Sequence, residues 1–462
     1  MIAPTFASPL TARYGRTGGP WDLPSLDMLL TRAAEPALAE RVARVAGGLR
    51  ARGVGPGDAV AWQSANRDEI AVLYRACWRL GAVAAPVHHQ MGAGDVASVL
   101  DAVRPAFVVD DLDALPTGDA IEAPFTDANR LAAVLFTSGS SGAPKGVLHT
   151  QATLAYKAAQ MRDAHALGGD DCVLMPAPAA HISGLLNGVT LPGVVPFRTV
   201  FMARWDPEAA LALIERERVT FMVGPPTFFV SMMRAPGFAR RRVESVRLIS
   251  SGGAGVGEEF VAEASRAFGA RVKRTYGSTE APTIITDGHA IGEVELRVDD
   301  NGELLVRGPE VCVGYLDHAQ TAEAFTPDGW FRTGDLAAIA SSGESSGKSS
   351  GTIEIIGRLK DVIIRGGENI STAEVEQVLE AHPDVRHAVA VGEADPLMGE
   401  RVVAFVEGAS DFDVDACRAW FVTRGVARFK TPERVVIVDA IPLLPTGKPD
   451  RAALRARVAQ AR

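Results

Sequence analysis

A chain of 462 residues is too long for one ordinary core, and with 47% hydrophobic and 22% charged residues it is too apolar for disorder; a soluble protein of two or more domains is expected. The net charge of −9, with no dense basic block beyond residues 240–242, excludes an extended nucleic-acid surface. Four scattered cysteines (Cys77, Cys172, Cys312, Cys417) lack metal-ligand spacing, and the N-terminus lacks a basic segment followed by an apolar run, so reduced thiols, no signal peptide and a cytoplasmic location are expected.

Leu38, Val42, Val45 and Leu49 recur at helical spacing, and Gly53 with Pro56 ends that helix. Residues 59–62 then read as a strand, 70–80 as a helix and 82–87 as a strand, a βαβ rhythm that implies a parallel sheet covered by helices. The rhythm resumes further on, with helices over 153–166, 207–216 and 258–268, each followed by a strand, over 173–175, 220–223 and 271–274. The uncharged run from Cys172 to Phe197 is broken by four prolines and reads as core strand and pocket wall, so no transmembrane segment is expected. From about Val294 short strands around Gly302, Gly308 and Gly314 suggest a small barrel or antiparallel sheet. Residues 341–351 (SSGESSGKSSG) are of low complexity and stand where a tight hairpin is expected; a natural loop and an engineered replacement both fit. Beyond them a helix over 373–381 and strands over 388–392 and 401–407 form a compact α+β unit. The fold class is therefore α/β, with a large domain of residues 1–359 and a small α+β domain of residues 360–462.

One stretch dominates the chemistry. Residues 131–136 read as a buried strand and 146–150 as a second, and between them lies a loop rich in glycine and hydroxyls. Gly139 and Gly142 let backbone N–H groups approach phosphate oxygens closely. Thr137, Ser138, Ser140 and Ser141 add hydroxyl donors, and Lys145 adds a positive charge. It is not a Walker A loop, because Gly146 follows the lysine where that motif needs Ser or Thr. Five further segments stand out: Pro178-Ala-Ala-His-Ile-Ser-Gly184, Ser250-Ser-Gly-Gly-Ala-Gly255, Tyr276-Gly-Ser-Thr-Glu280, Trp330-Phe-Arg-Thr-Gly-Asp335 and Leu444-Pro-Thr-Gly-Lys-Pro-Asp-Arg451.

Together, and in this order, these segments resemble the acyl-adenylate-forming family of acyl-CoA synthetases, aryl-CoA ligases, luciferases and peptide-synthetase adenylation domains, over about residues 131 to 451. The resemblance implies ATP, Mg²⁺ and coenzyme A as reactants or cofactors, and a small-molecule carboxylic acid as substrate. It places Thr137, Ser138, Gly139, Ser140, Ser141, Gly142 and Lys145 on the phosphates. Gly253, Ala254, Tyr276, Gly277 and Ser278 fall at the adenine, Thr279 near the α-phosphate and Glu280 on Mg²⁺. Asp335 takes the ribose hydroxyls, with Arg358 on the same side. Lys448 maps onto the catalytic lysine, with Glu280, Thr137 and the aromatic gate His181 as its catalytic partners. Lys360 is the hinge, and Arg365, Gly366 and Gly367 line the CoA channel. The acyl pocket is expected at His181, Ile182, Ser183, Gly184, Gly224, Pro226, Ala254, Gly255, Ala281 and Pro282.

The His181 segment lacks the aspartate of the amino-acid-activating relatives, and the Tyr276 segment lacks the tryptophan of the acetate-activating ones. An apolar medium-chain, alicyclic or aromatic acid is therefore favoured. Residues 281–301 and the N-terminal region are shorter than the family usually has. The alternatives are a ligase that loads a carrier protein and a non-catalytic nucleotide or acyl-CoA sensor; a monomer or homodimer is expected.

Overall fold

The computed structural model describes residues 24–137, 144–253, 255–340, 352–365, 368–408, 411–444 and 449–460. Among the described residues the strands form four sheets. The first contains β1 (Ala59–Ser64), β2 (Val83–His88), β3 (Phe107–Val109), β4 (Leu131–Thr137) and β5 (Lys145–Thr150) in the order β3-β1-β2-β4-β5. β1 pairs parallel with β2 and β3, β2 pairs parallel with β4, and only β5 is antiparallel. Alternate residues go to opposite faces, as the period of a strand dictates. Val60, Trp62 and Ala84 pack with Leu49, Leu73 and Trp78 of the helices Pro36–Ala51 and Asp68–Arg79. Ala59, Ala61, Val83 and Ala85 pack on the other side with Val99 and Val103 of the helix Ala93–Val103. Burial on both faces explains why these strands read as continuous apolar runs.

The second sheet contains β6 (Cys172–Met175), β7 (Arg198–Phe201), β8 (Phe221–Gly224), β9 (Leu248–Gly252), β10 (Arg271–Tyr276), β11 (Ile285–Thr286) and β12 (His289–Ala290), in the order β12-β11-β10-β9-β8-β6-β7. Its pairs are parallel from β7 to β10 and antiparallel beyond. The helices Pro207–Glu217 and Glu258–Phe268 cover it through Leu211, Ile214, Ala264 and Phe268. Between β6 and β7 the chain is helical where sequence suggests strand: Ile182–Leu185, a π turn Leu186–Thr190, then Leu191–Val194. Pro192 falls at the start of the last segment, where a missing N–H is tolerated.

β13 (Glu295–Val298), β14 (Glu303–Arg307), β15 (Phe331–Ala340) and β16 (Thr352–Arg358) form a four-stranded sheet in chain order, the sheet form of the expectation for this region. Ala340 pairs with Thr352, so the strands on either side of 341–351 are partners; that segment itself lies outside the described residues. The fourth sheet, β18-β17-β20-β19 with β21 on β20, is built from β17 (Val362–Arg365), β18 (Glu368–Ser371), β19 (Val385–Asp395), β20 (Gly399–Gly408) and β21 (Arg434–Ile437). Val375 and Leu379 of the helix Thr372–Glu380 and Phe421 of the helix Val414–Thr423 cover one face, Leu454 and Val458 the other.

By packing, the chain divides into two units, Met1–Leu296 with Val306–Arg332, and Arg297–Leu305 with Thr333–Arg462. Packing thus assigns residues 333–359 to the C-terminal unit, whereas the sequence reading draws its boundary at Lys360. No helix among the described residues is long and apolar enough to cross a membrane.

Candidate active site

In the first unit the parallel strands β1, β2 and β4 end at Ser64, His88 and Thr137, and β6, β8, β9 and β10 end at Met175, Gly224, Gly252 and Tyr276. Ligands of open α/β sheets bind outside such carboxyl ends. Here the ends of the two sheets are stitched together. The Asn66 side chain donates to the carbonyls of Met175 (3.1 Å) and Ala177 (2.8 Å) and accepts from Ala179 N (2.8 Å). The His88 and His181 rings stand 4.9 Å apart, and His149 Nε2 donates to Thr279 O at 2.8 Å.

On the nucleotide side, Thr137 and Lys145 are cross-strand partners, which brings the two ends of the phosphate loop together. Ser138, Gly139, Ser140, Ser141 and Gly142 lie outside the described residues. The Lys145 ammonium stands 5.6 Å from the ring centroid of Tyr315, whose hydroxyl donates to Glu280 Oε1 at 2.8 Å. The residues around Tyr315 run antiparallel alongside β5, with Leu148 N donating to Gly314 O (2.9 Å), Leu316 N to Gly146 O (2.8 Å) and Tyr315 bridging Val147. Cys312 N closes the arrangement on Glu280 O at 2.7 Å. His149 is fully buried, and burial holds its imidazole below the ordinary range, so it stays neutral with its proton on Nε2.

The Tyr276 segment turns tightly after β10. Ser278 N donates to Ala281 O (3.0 Å) and Ala281 N to Ser278 Oγ (3.2 Å), and a Cβ on Gly277 would lie 2.2 Å from Thr283 N, so only glycine fits. The short stretch that follows is pinned to the helix Gln151–His165. Lys157 Nζ donates to Thr283 O (2.6 Å), Gln160 Nε2 to Ile291 O (2.6 Å), and the Tyr156 hydroxyl accepts from Glu293 N (2.9 Å). Lys157 also faces Glu310 at 3.6 Å; burial pushes the lysine down to about 8 and the glutamate up.

On the acyl side, His181 begins the helix Ile182–Leu185, with its N–H on Pro178 O at 2.9 Å. A Cβ on Gly184 would lie 2.2 Å from Pro178 O, so the close return of this helix on its own loop requires glycine. The Tyr74 hydroxyl donates to Ala179 O at 2.7 Å, and Ser251 Oγ donates to Gly224 O at 3.1 Å. His88 is stacked on His89 at 4.7 Å, and burial, then the neighbouring His181 and His89, push it down to about 4. Ala281 and Pro282 are buried and Pro226 opens the helix Pro226–Met233. Gly253 has φ +77°, a conformation that favours glycine; Ala254 lies outside the described residues, and Gly255 follows it.

In the second unit, Asp335 and Arg358 are cross-strand partners and an ion pair, Nε to Oδ1 at 2.9 Å. Asp335 is buried, and its N–H rests on Thr333 Oγ1 (3.0 Å). Lys360 is exposed in the turn Leu359–Asp361, whereas Asp361 is held by Arg455 (3.0 Å) and Arg451 (3.6 Å). Arg365 pairs with Glu433 at 2.6 Å; Gly366, Gly367 and Lys448 lie outside the described residues. Leu443 and Pro449, on either side of residues 444–448, form a bridge, and Arg451 makes a two-pronged pair with Glu376 at 2.6 and 2.8 Å.

The motifs did not point to Asn66, His88, His149 or Tyr315. His149 lies inside the phosphate-loop stretch and Tyr315 directly after Gly314, but both take their meaning from partners remote in sequence.

Chemically, the first unit places a cation, a carboxylate and a hydroxyl-bearing strand end at the edge of parallel strands, a set suited to polyphosphate. Comparison with known proteins gives the family. Residues 36–316 match the family model described as AMP-binding enzyme, and residues 374–448 match the AMP-binding enzyme C-terminal domain. The chain is 33% identical to an indoleacetate–CoA ligase of Aromatoleum aromaticum, over 92% of each sequence. It is 30% identical to the medium-chain fatty-acid–CoA ligase of Escherichia coli, over 88% of this chain and 82% of that one. Among solved structures, ATP-bound MatB from Rhodopseudomonas palustris superposes with a TM-score of 0.82 at 27% identity, covering 91% of this chain and 92% of that chain. With its α/β fold and both family domains matched, the chain belongs to the AMP-binding enzymes, as a member of the acyl-CoA synthetase type.

Proposed function

We propose that this ligase activates an apolar medium-chain, alicyclic or aromatic carboxylic acid with ATP and passes the acyl group to the thiol of CoA. The observation that carries the reading is the grouping of Lys145, Tyr315 and Glu280 at the carboxyl ends of the parallel strands. The acid class is supported by the small and apolar residues of the His181 segment and by the printed substrates of the two relatives.

In the first step a carboxylate oxygen attacks the α-phosphorus of ATP, the bond to the β-phosphate oxygen breaks, and pyrophosphate leaves. Both reactants are anionic, so the protein must neutralise charge and align them. Lys145 and the loop hydroxyls bind the phosphates, Tyr276 offers a face to adenine, and Asp335 with Arg358 binds the ribose. Lys448 supplies the ammonium at the reacting phosphate. Glu280 offers a hard carboxylate oxygen suited to Mg²⁺, and among the described residues no cluster of three or more His, Cys, Asp or Glu forms a protein cage. That donor set fits an ion that completes its shell with phosphate oxygens and water. When bound, Mg²⁺ would neutralise phosphate charge. In the second step the thiol, giving up its proton, attacks the acyl carbonyl and AMP departs. A turn of the C-terminal part about Lys360 would exchange Lys448 for the segment of Arg365, Gly366 and Gly367.

The test is pyrophosphate exchange into ATP, stimulated by a panel of acids, followed by mass spectrometry of the products with CoA. Exchange and thioester with hexanoate-to-decanoate, alicyclic or aryl acids are expected. Exchange without thioester would refute the CoA acceptor, and no exchange with any of these acids would refute the substrate class.

A further inference from the structure

Two charged groups assigned to the nucleotide meet on one tyrosine. Tyr315 is only 6% exposed; its hydroxyl donates to Glu280 Oε1 at 2.8 Å, and the Lys145 ammonium stands 5.6 Å from its ring centroid. The tyrosine is held firmly in place. Its backbone bridges Val147 of β5, Val313 N donates to Leu148 O at 2.9 Å, and its own N–H rests on Thr321 Oγ1 at 2.9 Å. The same segment begins with Cys312, whose N–H binds Glu280 O. One short run of chain therefore fixes the strand that starts at Lys145 and the residue that carries the carboxylate.

We propose that Tyr315 is a positioning residue for the magnesium–ATP complex, and this rests on the assignment of Glu280 to magnesium and Lys145 to the phosphates. Its hydroxyl engages one oxygen of Glu280 and orients the carboxylate for the cation. Its ring face holds Lys145 near the phosphate loop before nucleotide arrives. Partners that orient a metal ligand are worth about 10–100-fold in metal affinity or activity. A cation on an aromatic face contributes less, about 2- to 30-fold. The two roles are separable, because Tyr315→Phe removes only the hydroxyl while Tyr315→Leu removes the ring as well.

The experiment is calorimetric titration with ATP, in excess magnesium and in EDTA, for the wild type and both variants. Thermal melts without nucleotide serve as the fold control. Tyr315→Phe is expected to keep the metal-free ATP affinity and to lose about tenfold or more of the tightening that magnesium gives. Tyr315→Leu is expected to weaken metal-free binding too; if it does not fold, Lys145→Ala replaces it. Full magnesium tightening in Tyr315→Phe overturns the proposal, as does an equal loss with and without metal. Wild-type protein that binds no ATP under either condition overturns the nucleotide assignment itself, and is told apart by failing before any substitution is made.

Discussion

The Asn66 side chain offers the sharpest test of how the acyl side is held. Asn66 is buried and makes three bonds to the chain leaving β6, at 3.1, 2.8 and 2.8 Å. Asn66→Ala removes all three. A typical internal hydrogen bond contributes about 1 kcal/mol net, so the loss should be about 3 kcal/mol. Met175 O suffers least, since Met202 N also binds it at 3.1 Å, while Ala177 O and Ala179 N lose the partner that Asn66 gave them. Asn66→Asp is the informative companion: it keeps the acceptor for Ala179 N but turns a carboxylate onto two carbonyl oxygens, so it should cost more than alanine. His181 begins its helix two residues after Ala179, so a shift of about 1 Å there would carry into the gate and slow adenylation by about 100-fold. Urea unfolding gives the stability difference, and acid-dependent pyrophosphate exchange gives the rate. A loss below about 1 kcal/mol in Asn66→Ala, or an aspartate variant more stable than the alanine one, would refute the reasoning.

Lys448→Ala should slow adenylation by roughly 10²–10⁴-fold, the range for a lost charge-stabilising group, and spare transfer to CoA from a supplied acyl-adenylate; equal losses in both half-reactions would contradict the assigned role. Lys360→Pro should show the reverse, retaining pyrophosphate exchange and losing thioester formation, and loss of exchange would speak against a hinge there. His165 is buried, neither ring nitrogen has a hydrogen-bond partner among the described residues, and burial together with Lys273, Lys157, Arg247 and Arg271 pushes it down to about 3. Its folded value lies below the unfolded 6.5, so the stability tied to its neutral form is present above pH 6.5 and is lost as pH falls toward 3. His165→Leu should therefore gain on the wild type by about 2 kcal/mol between pH 7 and pH 5, and a pH-independent difference in urea unfolding would refute this.

The architecture was legible where one physical cause acts along a short window. β4 and the helix Glu258–Phe268 are written in apolar runs and helical spacing, and the structure places both within a residue of the sequence reading. The segments around Tyr276 and Asp335 stood out for a different reason, since glycine, hydroxyl and charge stand together in each, but the tight turn after Tyr276 and the Asp335–Arg358 ion pair were not read from them. The helical stretch after Ile182 was not legible, because a proline in an uncharged run looks alike in a strand and at a helix start. Asn66, His149 and Tyr315 were illegible for the same reason as each other. A lone polar residue between apolar neighbours acquires a function only when folding delivers a carbonyl or carboxylate from far along the chain. The packing boundary ahead of Lys360 depends on such distant pairing as well, through the partnership of β15 and β16.

The segment of residues 313–316 that runs along β5 also bears on how the protein is made. β5 is the last strand of its sheet, and its outer side is completed by Val313, Gly314 and Leu316. At about 5–20 residues per second, a ribosome that has just finished Val147 needs on the order of ten seconds or more to reach Tyr315. Throughout that interval the emerging polypeptide carries a bare, apolar strand margin, the kind of surface that recruits other nascent chains. Fragments ended before Cys312 would keep this exposure permanently, so expression of a shortened protein should retain the residues that close the margin.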